Sequence, residues 1–382
     1  MSTFLGIGMG PIQTGIFIAG ASKGKFDRIV IAEVDDRLRI PIHKAGCISV
    51  NIAEADRVRT EQYGPVEVYN PNDPAELPRL IAAAAEADEL ATALPSINFF
   101  KFPAPWLAEG FRRNPGKRRF IYTAENNNHA AEALEAALGE KFPDVWCLNT
   151  VIGKMSGVIS ADECAGRGFA PLAPGADRGH LVEKFNTIYI SSAPGIGERR
   201  VADLHEKADL LPFEEAKLYG HNAIHFWLGI HGSVKGREFM SDLRDDRELI
   251  AEAGKAFVNE SGAALCRKYA GLDPLFTPEG FAAYADDLLV RMVNVYLKDA
   301  IARVIRDLDR KLGWDDRVIG TMRMVLSQGI EPEIFARGAA LALKAWKPGA
   351  SADEAKAALA ALWPEPWGGE HEKLWRLTLK NY

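Results

Sequence analysis

Thr3-Phe4-Leu5-Gly6-Ile7-Gly8-Met9-Gly10-Pro11-Ile12-Gln13-Thr14-Gly15 opens the chain with an apolar run, a glycine loop, and then the apolar Ile16-Phe17-Ile18. A strand that turns through two such glycines into a helix brings backbone N–H groups and a helix N-terminus close to a pyrophosphate. Gly8, Gly10, Pro11, Ile12 and Gln13 would form that cradle. Position three of the G-x-G-x-x-G pattern is Gln13, where a small residue ordinarily lets the helix pack on the strand. A glycine pair after a strand is also a plain turn, so the surrounding chain decides between the two.

The second strand, Ile29 to Glu33, ends in Glu33-Val34-Asp35-Asp36. A carboxylate therefore follows the loop by about 25 residues, near the spacing of a ribose-binding acid. Glu33 is the expected ribose ligand, accepting from the 2′-hydroxyl and repelling a 2′-phosphate. That favours NAD, while Arg37 and Arg39 keep NADP open. Thr3 to Ile7, Glu89 to Ala93, Phe120 to Thr123 and Val145 to Leu148 read as further strands alternating with helical segments, the pattern of a parallel sheet covered on both faces. After about residue 200 long amphipathic patterns take over. The expected architecture is α/β: an N-terminal Rossmann-type doubly wound sheet over residues 1–200 and a mostly α-helical domain over residues 201–382. Leu297, Ile301, Val304, Leu308 and Leu312 predict one amphipathic helix with Asp299, Arg303, Arg306 and Arg310 outside its core face.

Composition agrees with two domains, since 382 residues exceed what one core usually serves. With 47% hydrophobic and 26% charged residues and a net charge of -6, nothing marks a nucleic-acid binder. Cys47, Cys147, Cys164 and Cys266 form no C-x-x-C pair, which argues against structural zinc or a disulfide framework and for a reducing compartment. No apolar run reaches the roughly 20 residues of a membrane span, and the N-terminus lacks signal-peptide features. The expectation is a cytoplasmic monomer or small homo-oligomer whose partner is a small molecule.

Chemistry concentrates in Lys217-Leu218-Tyr219-Gly220-His221-Asn222-Ala223-Ile224-His225. On an α-helix Lys217, His221 and His225 share an arc of about 80°, with Asn222 about 140° from Lys217. A lysine whose pKa is lowered by burial or nearby positive charge can act as general base. Asn222 can donate to an alkoxide and His225 can orient a hydroxyl. The same residues also describe an ordinary polar helix face. His221, His225 and His231 raise a metal site, but H-E-x-x-H is absent and no metal is expected.

The run from Phe213 to His225 resembles the signature of the polyol-specific long-chain dehydrogenases, the mannitol and mannitol-1-phosphate dehydrogenase family, in which K-x-x-x-x-N-x-x-H carries catalysis. Gly8 to Gly15 is similar to the family's glycine loop, Ala32-Glu33-Val34 to its ribose-acid segment, Thr123-Ala124-Glu125-Asn126 to its C-E-N segment, and Asn149-Thr150-Val151 to its N-T-V-V-D-R. Glu260 to Ala263 and Asn294 to Leu312 resemble its C-terminal domain. The resemblance implies Lys217 as general base, Asn149 and Asn222 as the oxyanion-binding pair, His225 on the substrate hydroxyl, Asn126 near the nicotinamide ribose, and Arg303 and Lys311 on the polyol.

Three departures bear on the substrate. Gly153 and Lys154 stand where the family has Asp-Arg, His221 replaces an apolar residue, and Val295 replaces a proline. The expected substrate is a sugar alcohol or its phosphate, with His221 and Lys154 joining the altered pocket. A hexuronate or aldonate is the alternative, because Arg303, Lys311 and Lys154 suit a carboxylate as well as a phosphate. A non-catalytic NAD-binding sensor is the rival of another class.

Overall fold

The computed structural model describes residues 1–382, which divide into two compact units, Met1–Leu210 and Leu211–Tyr382. The first holds twelve strands: β1 Thr3–Ile7, β2 Arg28–Ala32, β3 Ile48–Ala53, β4 Val58–Tyr63, β5 Glu67–Tyr69, β6 Glu89–Thr92, β7 Arg119–Thr123, β8 Val145–Ile152, β9 Ser156–Ser160, β10 Arg178–Glu183, β11 Ile188–Ser191 and β12 Leu204–Lys207.

Eight strands make one sheet in the order β12-β11-β8-β7-β6-β1-β2-β5. From β5 to β8 every pairing is parallel, and β11 then runs antiparallel to β8 and parallel to β12. This is a Rossmann-type doubly wound sheet. Strand order reverses between β1 and β6, so the crevice at their C-terminal ends is where such sheets take ligands, and the glycine loop leaves β1 there. The strands are apolar on both faces because both are covered, by clusters that include Phe17 and Tyr122 on one side and Leu80 and Leu107 on the other. Leu204–Lys207 carries this sheet past residue 200.

A second sheet of order β4-β3-β10-β9 was not anticipated from the sequence. It bears on the glycine loop. The turn Gln13–Ile18 is π-helical and continues into the helix Ala19–Lys23. Thr14 Oγ1 lies 2.8 Å from His180 Nδ1 on β10, and a Cβ on Gly15 would stand 2.7 Å from the Val182 side chain. The glycine needed for close packing is therefore Gly15, against the second sheet. Gln13 fits at the third fingerprint position because Gly6 of β1 has no side chain, and a Cβ there would overlap the Gln13 carboxamide.

The second unit is helical. Its central rod joins Leu211–Glu215, a π-helical turn Ala216–Asn222 and Ala223–Val234. A second rod has the same plan: Arg247–Lys255, a π-helical turn Ala256–Gly262, and Ala263–Lys268. The two turns meet where Gly220 faces Phe257, a Cβ on the glycine falling 2.9 Å from the ring. Around them stand Pro278–Met292, Ile319–Ser327 and Glu333–Trp346. Glu260, buried in the second π turn, accepts from Ile334 and Phe335 N–H at 2.7 and 3.0 Å, satisfying donors at the start of Glu333–Trp346.

The single helix predicted from Leu297 to Leu312 is not formed. The segment contains Ile301–Val304 and Leu308–Lys311, with Asp307 between them at φ +56°. The Lys311 ammonium donates to the carbonyls of Val304 and Arg306 and so satisfies acceptors at the interruption.

Trp227 anchors the central rod: it is fully buried, and its indole N–H donates to Ile334 O at 3.0 Å. Trp227→Ala should lower the unfolding free energy of the second unit by about 3–5 kcal/mol, read from the shift of its urea transition.

Candidate active site

The two units contribute separate sets of residues. In the first, Gly8 takes φ +87° and its N–H donates to Ala32 O at 2.9 Å. A Cβ there would lie 2.9 Å from Ala93 O, so only glycine threads between the ends of β1, β2 and β6. Gly10 has open space around it, its nearest foreign atom being Ala93 O at 3.9 Å. Pro11 and Ile12 start the helix, and Gln13 is wholly buried beneath the loop.

Glu33 follows β2 and turns its carboxylate back toward the loop. Oε1 accepts from Val34 and Asp35 N–H, both at 2.8 Å, and the Met9 N–H also stabilises the charge. Burial outweighs these bonds and holds the carboxyl above its ordinary range. The neighbouring acids are otherwise employed. Asp35 caps the helix Asp36–Ala45 and pairs with Arg37 and Arg178, while Asp36 pairs with Arg39. Arg37 also reaches Asp177 and Arg39 reaches Glu76, so both arginines already face carboxylates.

Asn126 is exposed. The buried member of its segment is Glu125, which accepts from Thr92 Oγ1 and Leu94 N–H, each at 2.8 Å, and ties the end of β7 to β6. Asn149, on β8, is held at both ends of its amide: Oδ1 accepts from Ala131 N–H at 2.8 Å and Nδ2 donates to Glu132 at 2.9 Å. One of its two amide protons remains for another acceptor. Lys154 donates to Phe185 O at 2.6 Å and Asn186 Oδ1 at 3.1 Å.

In the second unit Lys217 and Asn222 bracket the π turn Ala216–Asn222. An α-helix would spread them about 140° apart. The widened turn, built on i to i+5 bonding, stacks residues five apart on one face. This accounts for the spacing of the lysine and the asparagine in physical terms, and it replaces the α-helical geometry expected from the sequence. His225 follows on the next α-helical turn.

Burial lowers the Lys217 amine to about 8, Arg317 pushes it in the same direction, and Glu214 opposes them. No hydrogen-bond acceptor restores its charge. His221 is buried beside it, its ring 6.2 Å from that of His225, and burial together with surrounding positive charge keeps it well below the ordinary imidazole range. A lysine that loses its proton near pH 8, an amide donor and an imidazole on one rod can take a proton and hold the oxygen it leaves.

Arg303 and Lys311 differ in placement. Arg303 is exposed and chelates Asp299 Oδ1 through Nε at 2.9 Å and Nη2 at 2.6 Å. Lys311 is buried on its two carbonyls, and burial lowers its ammonium to about 8. Asp299 was not singled out from the sequence: its other oxygen, Oδ2, lies 3.0 Å from His225 Nε2. Four residues before Arg303 it reads as half of a surface ion pair, and only its burial separates it from one.

Residues 209–356 match the family described as Mannitol dehydrogenase C-terminal domain. The chain is 30% identical over 352 residues to mannitol-1-phosphate 5-dehydrogenase of Bacillus licheniformis, covering 89% of this chain and 87% of that one. It is 28% identical over 348 residues to the enzyme of that name from Bacillus pumilus, covering 89% and 86%. Among solved structures it is similar to a substrate-free D-sorbitol dehydrogenase, with a TM-score of 0.73, 15% identity and coverage of 99% and 91%. Pseudomonas fluorescens mannitol 2-dehydrogenase, in a ternary complex with NAD and D-mannitol, gives a TM-score of 0.68 at 15% identity, with coverage of 100% and 91%.

In the folded chain the Lys217 amine should lose its proton near pH 8, well below an ordinary lysine, and Arg317→Met should raise that value. Both are read from the Lys217 13Cε shift against pH in lysine-labelled protein. An unchanged titration in Arg317→Met would leave burial as its sole cause.

Proposed function

The chain belongs to the mannitol and mannitol-1-phosphate dehydrogenase family and is a polyol dehydrogenase, and on that premise we propose that it interconverts a secondary alcohol of a sugar alcohol, or of its phosphate, with the corresponding ketose, using NAD and a lysine general base without a metal. The observation that carries the reading is the Lys217 amine, lowered to about 8 by burial, set on the π turn with Asn222.

In the oxidation the substrate hydroxyl gives its proton to Lys217 Nζ, Asn222 Nδ2 donates to the oxygen as it becomes an alkoxide, and His225 fixes the hydroxyl for transfer. Asn149, with one amide proton unspent, carries the assignment of second alkoxide donor. NAD, when bound, accepts the hydride from the carbinol carbon. Gly10 and Ile12 offer N–H groups to its pyrophosphate, and Glu33 takes the ribose hydroxyls. The fit is supported by the side-chain-free passage at Gly8 and Gly10 and by the carboxylate at Met9. NAD is favoured over NADP because Arg37 and Arg39 are already paired with carboxylates.

Of the three cations considered for a phosphate, Lys154 and Lys311 donate to acceptors within the chain. Arg303 is exposed and keeps its Nη1 donors. Arg303 is thus the phosphate contact if the substrate carries one, and Arg303→Met should raise KM for mannitol 1-phosphate more than for mannitol.

The reading is tested by NADH formation across polyols, polyol phosphates and aldonates. The rate should rise as Lys217 deprotonates through about pH 8 and level off above it, since the neutral amine is the base. Lys217→Ala should lose about 10²–10⁴-fold in kcat while NADH affinity, read by fluorescence, is retained. Full turnover in that variant would remove Lys217 from the chemistry. Glu33→Ala should weaken NAD without weakening NADP, and equal affinities before and after would contradict the ribose contact.

A further inference from the structure

We propose that Asp299 is a positioning residue for the alcohol site, its two carboxylate oxygens fixing the His225 ring on one side and the Arg303 guanidinium on the other. The inference deepens the dehydrogenase reading and rests on it. Oδ2 stands 3.0 Å from His225 Nε2, within ion-pair distance but out of hydrogen-bond alignment and with no other partner for either buried atom, and Oδ1 takes both Nε and Nη2 of Arg303. The Asp299 side chain is only 8% exposed, whereas Arg303 is 59% exposed. An ordinary pair four residues apart leaves both partners in water and contributes little. Here the carboxylate is withdrawn from solvent and has two cationic or donor groups around it.

The backbone is built to hold it there. Lys298, immediately before, takes φ +47°, a left-handed conformation uncommon for a residue with a side chain. Asp299 O accepts from Met240 N–H at 2.9 Å, Ala300 bridges Phe239, and Ile301 N–H donates to Glu238 O at 2.9 Å. The chain is therefore pinned on the far side of the carboxylate and turned sharply on the near side. Burial by itself would raise the Asp299 carboxyl, but His225 and Arg303 reverse that and keep it below its ordinary range.

The chemical consequence lies in the histidine. A carboxylate facing Nε2 favours the tautomer with its proton on that nitrogen and leaves Nδ1 as an acceptor. The hydroxyl next to the reacting one can then donate to His225 Nδ1, which holds the polyol in place and leaves the reacting hydroxyl's own proton for Lys217, while Asp299 keeps the ring from turning. The outer partner of a histidine sets its working nitrogen in this way in many sites.

The test uses the full chain with 15N-labelled histidine, comparing wild type, Asp299→Asn and Asp299→Ala. Nitrogen shifts of His225 should report the Nε2–H tautomer in wild type and in Asp299→Asn, whose amide oxygen can still accept, and a changed tautomer in Asp299→Ala. Asp299→Ala should lose about 10²-fold in kcat/KM for the polyol, as for a misplaced reacting group, with NADH affinity unchanged, and Asp299→Asn should recover most of it. In a His225→Ala background the further loss from Asp299→Ala should shrink to less than about threefold, the mark of two residues acting as one. An unaltered tautomer in Asp299→Ala, or independent multiplication of the two losses, would overturn the proposal. If Asp299→Ala does not fold, the asparagine variant carries the test, since loss of the Nε2–H tautomer there counts equally against it. Failure of the wild type to oxidise any polyol would sink the dehydrogenase reading alone, because the nitrogen shifts report the contact without turnover.

Discussion

An ammonium group is costly to withdraw from water, and the central rod of the second unit withdraws one in part and sets it near the like charge of Arg317. That constraint organises the rod's surroundings. The amine titrates near 8 because it is partly withdrawn from water and has Arg317 near it, and the π turn that carries it is packed from behind. Gly220 lets the turn lie against Phe257, Phe257 belongs to the second π turn, and Glu260 of that turn holds the start of Glu333–Trp346. Trp227 then ties the same rod to Ile334. The lowered lysine is thus a property of a packed helical assembly.

The first unit meets a complementary constraint: at the glycine loop its backbone is left open, without a side chain in the way. Gly8 does this at the reversal of strand order, and the second sheet stiffens the turn from below through His180 and Val182. Burial holds the His180 ring down to about 3, so this support remains neutral throughout the physiological range. Charges at the loop are left to Glu33, because Asp35, Asp36, Arg37 and Arg39 cancel one another in pairs.

The parallel sheet was legible because its strands, covered on both faces, are continuous apolar runs; Thr3–Ile7 reads directly, and the others shift by a residue or extend. The second sheet was not legible. Val58–Tyr63 is Val-Arg-Thr-Glu-Gln-Tyr, mostly polar and half in solvent, and its pairing with Ile48–Ala53 is fixed by tertiary packing. The residues of the catalytic run could be named from their types and resemblance, but the π turn that sets Lys217 against Asn222 leaves no periodic signature over one turn. Asp299 was hidden for a related reason. Helical spacing around Arg303 suggested a solvated pair, whereas left-handed backbone at Lys298 and Asp307 breaks the helix and turns the carboxylate inward.

The fit between Gly6 and Gln13 has a consequence for how the glycine fingerprint is scored. A side chain at position 6 and a glutamine at position 13 claim the same volume. With Gln13 in its present rotamer, a side chain at position 6 must displace the carboxamide, so the two positions are read together. A pattern that scores position 13 by itself misjudges a chain in which the smallness lies across on the strand.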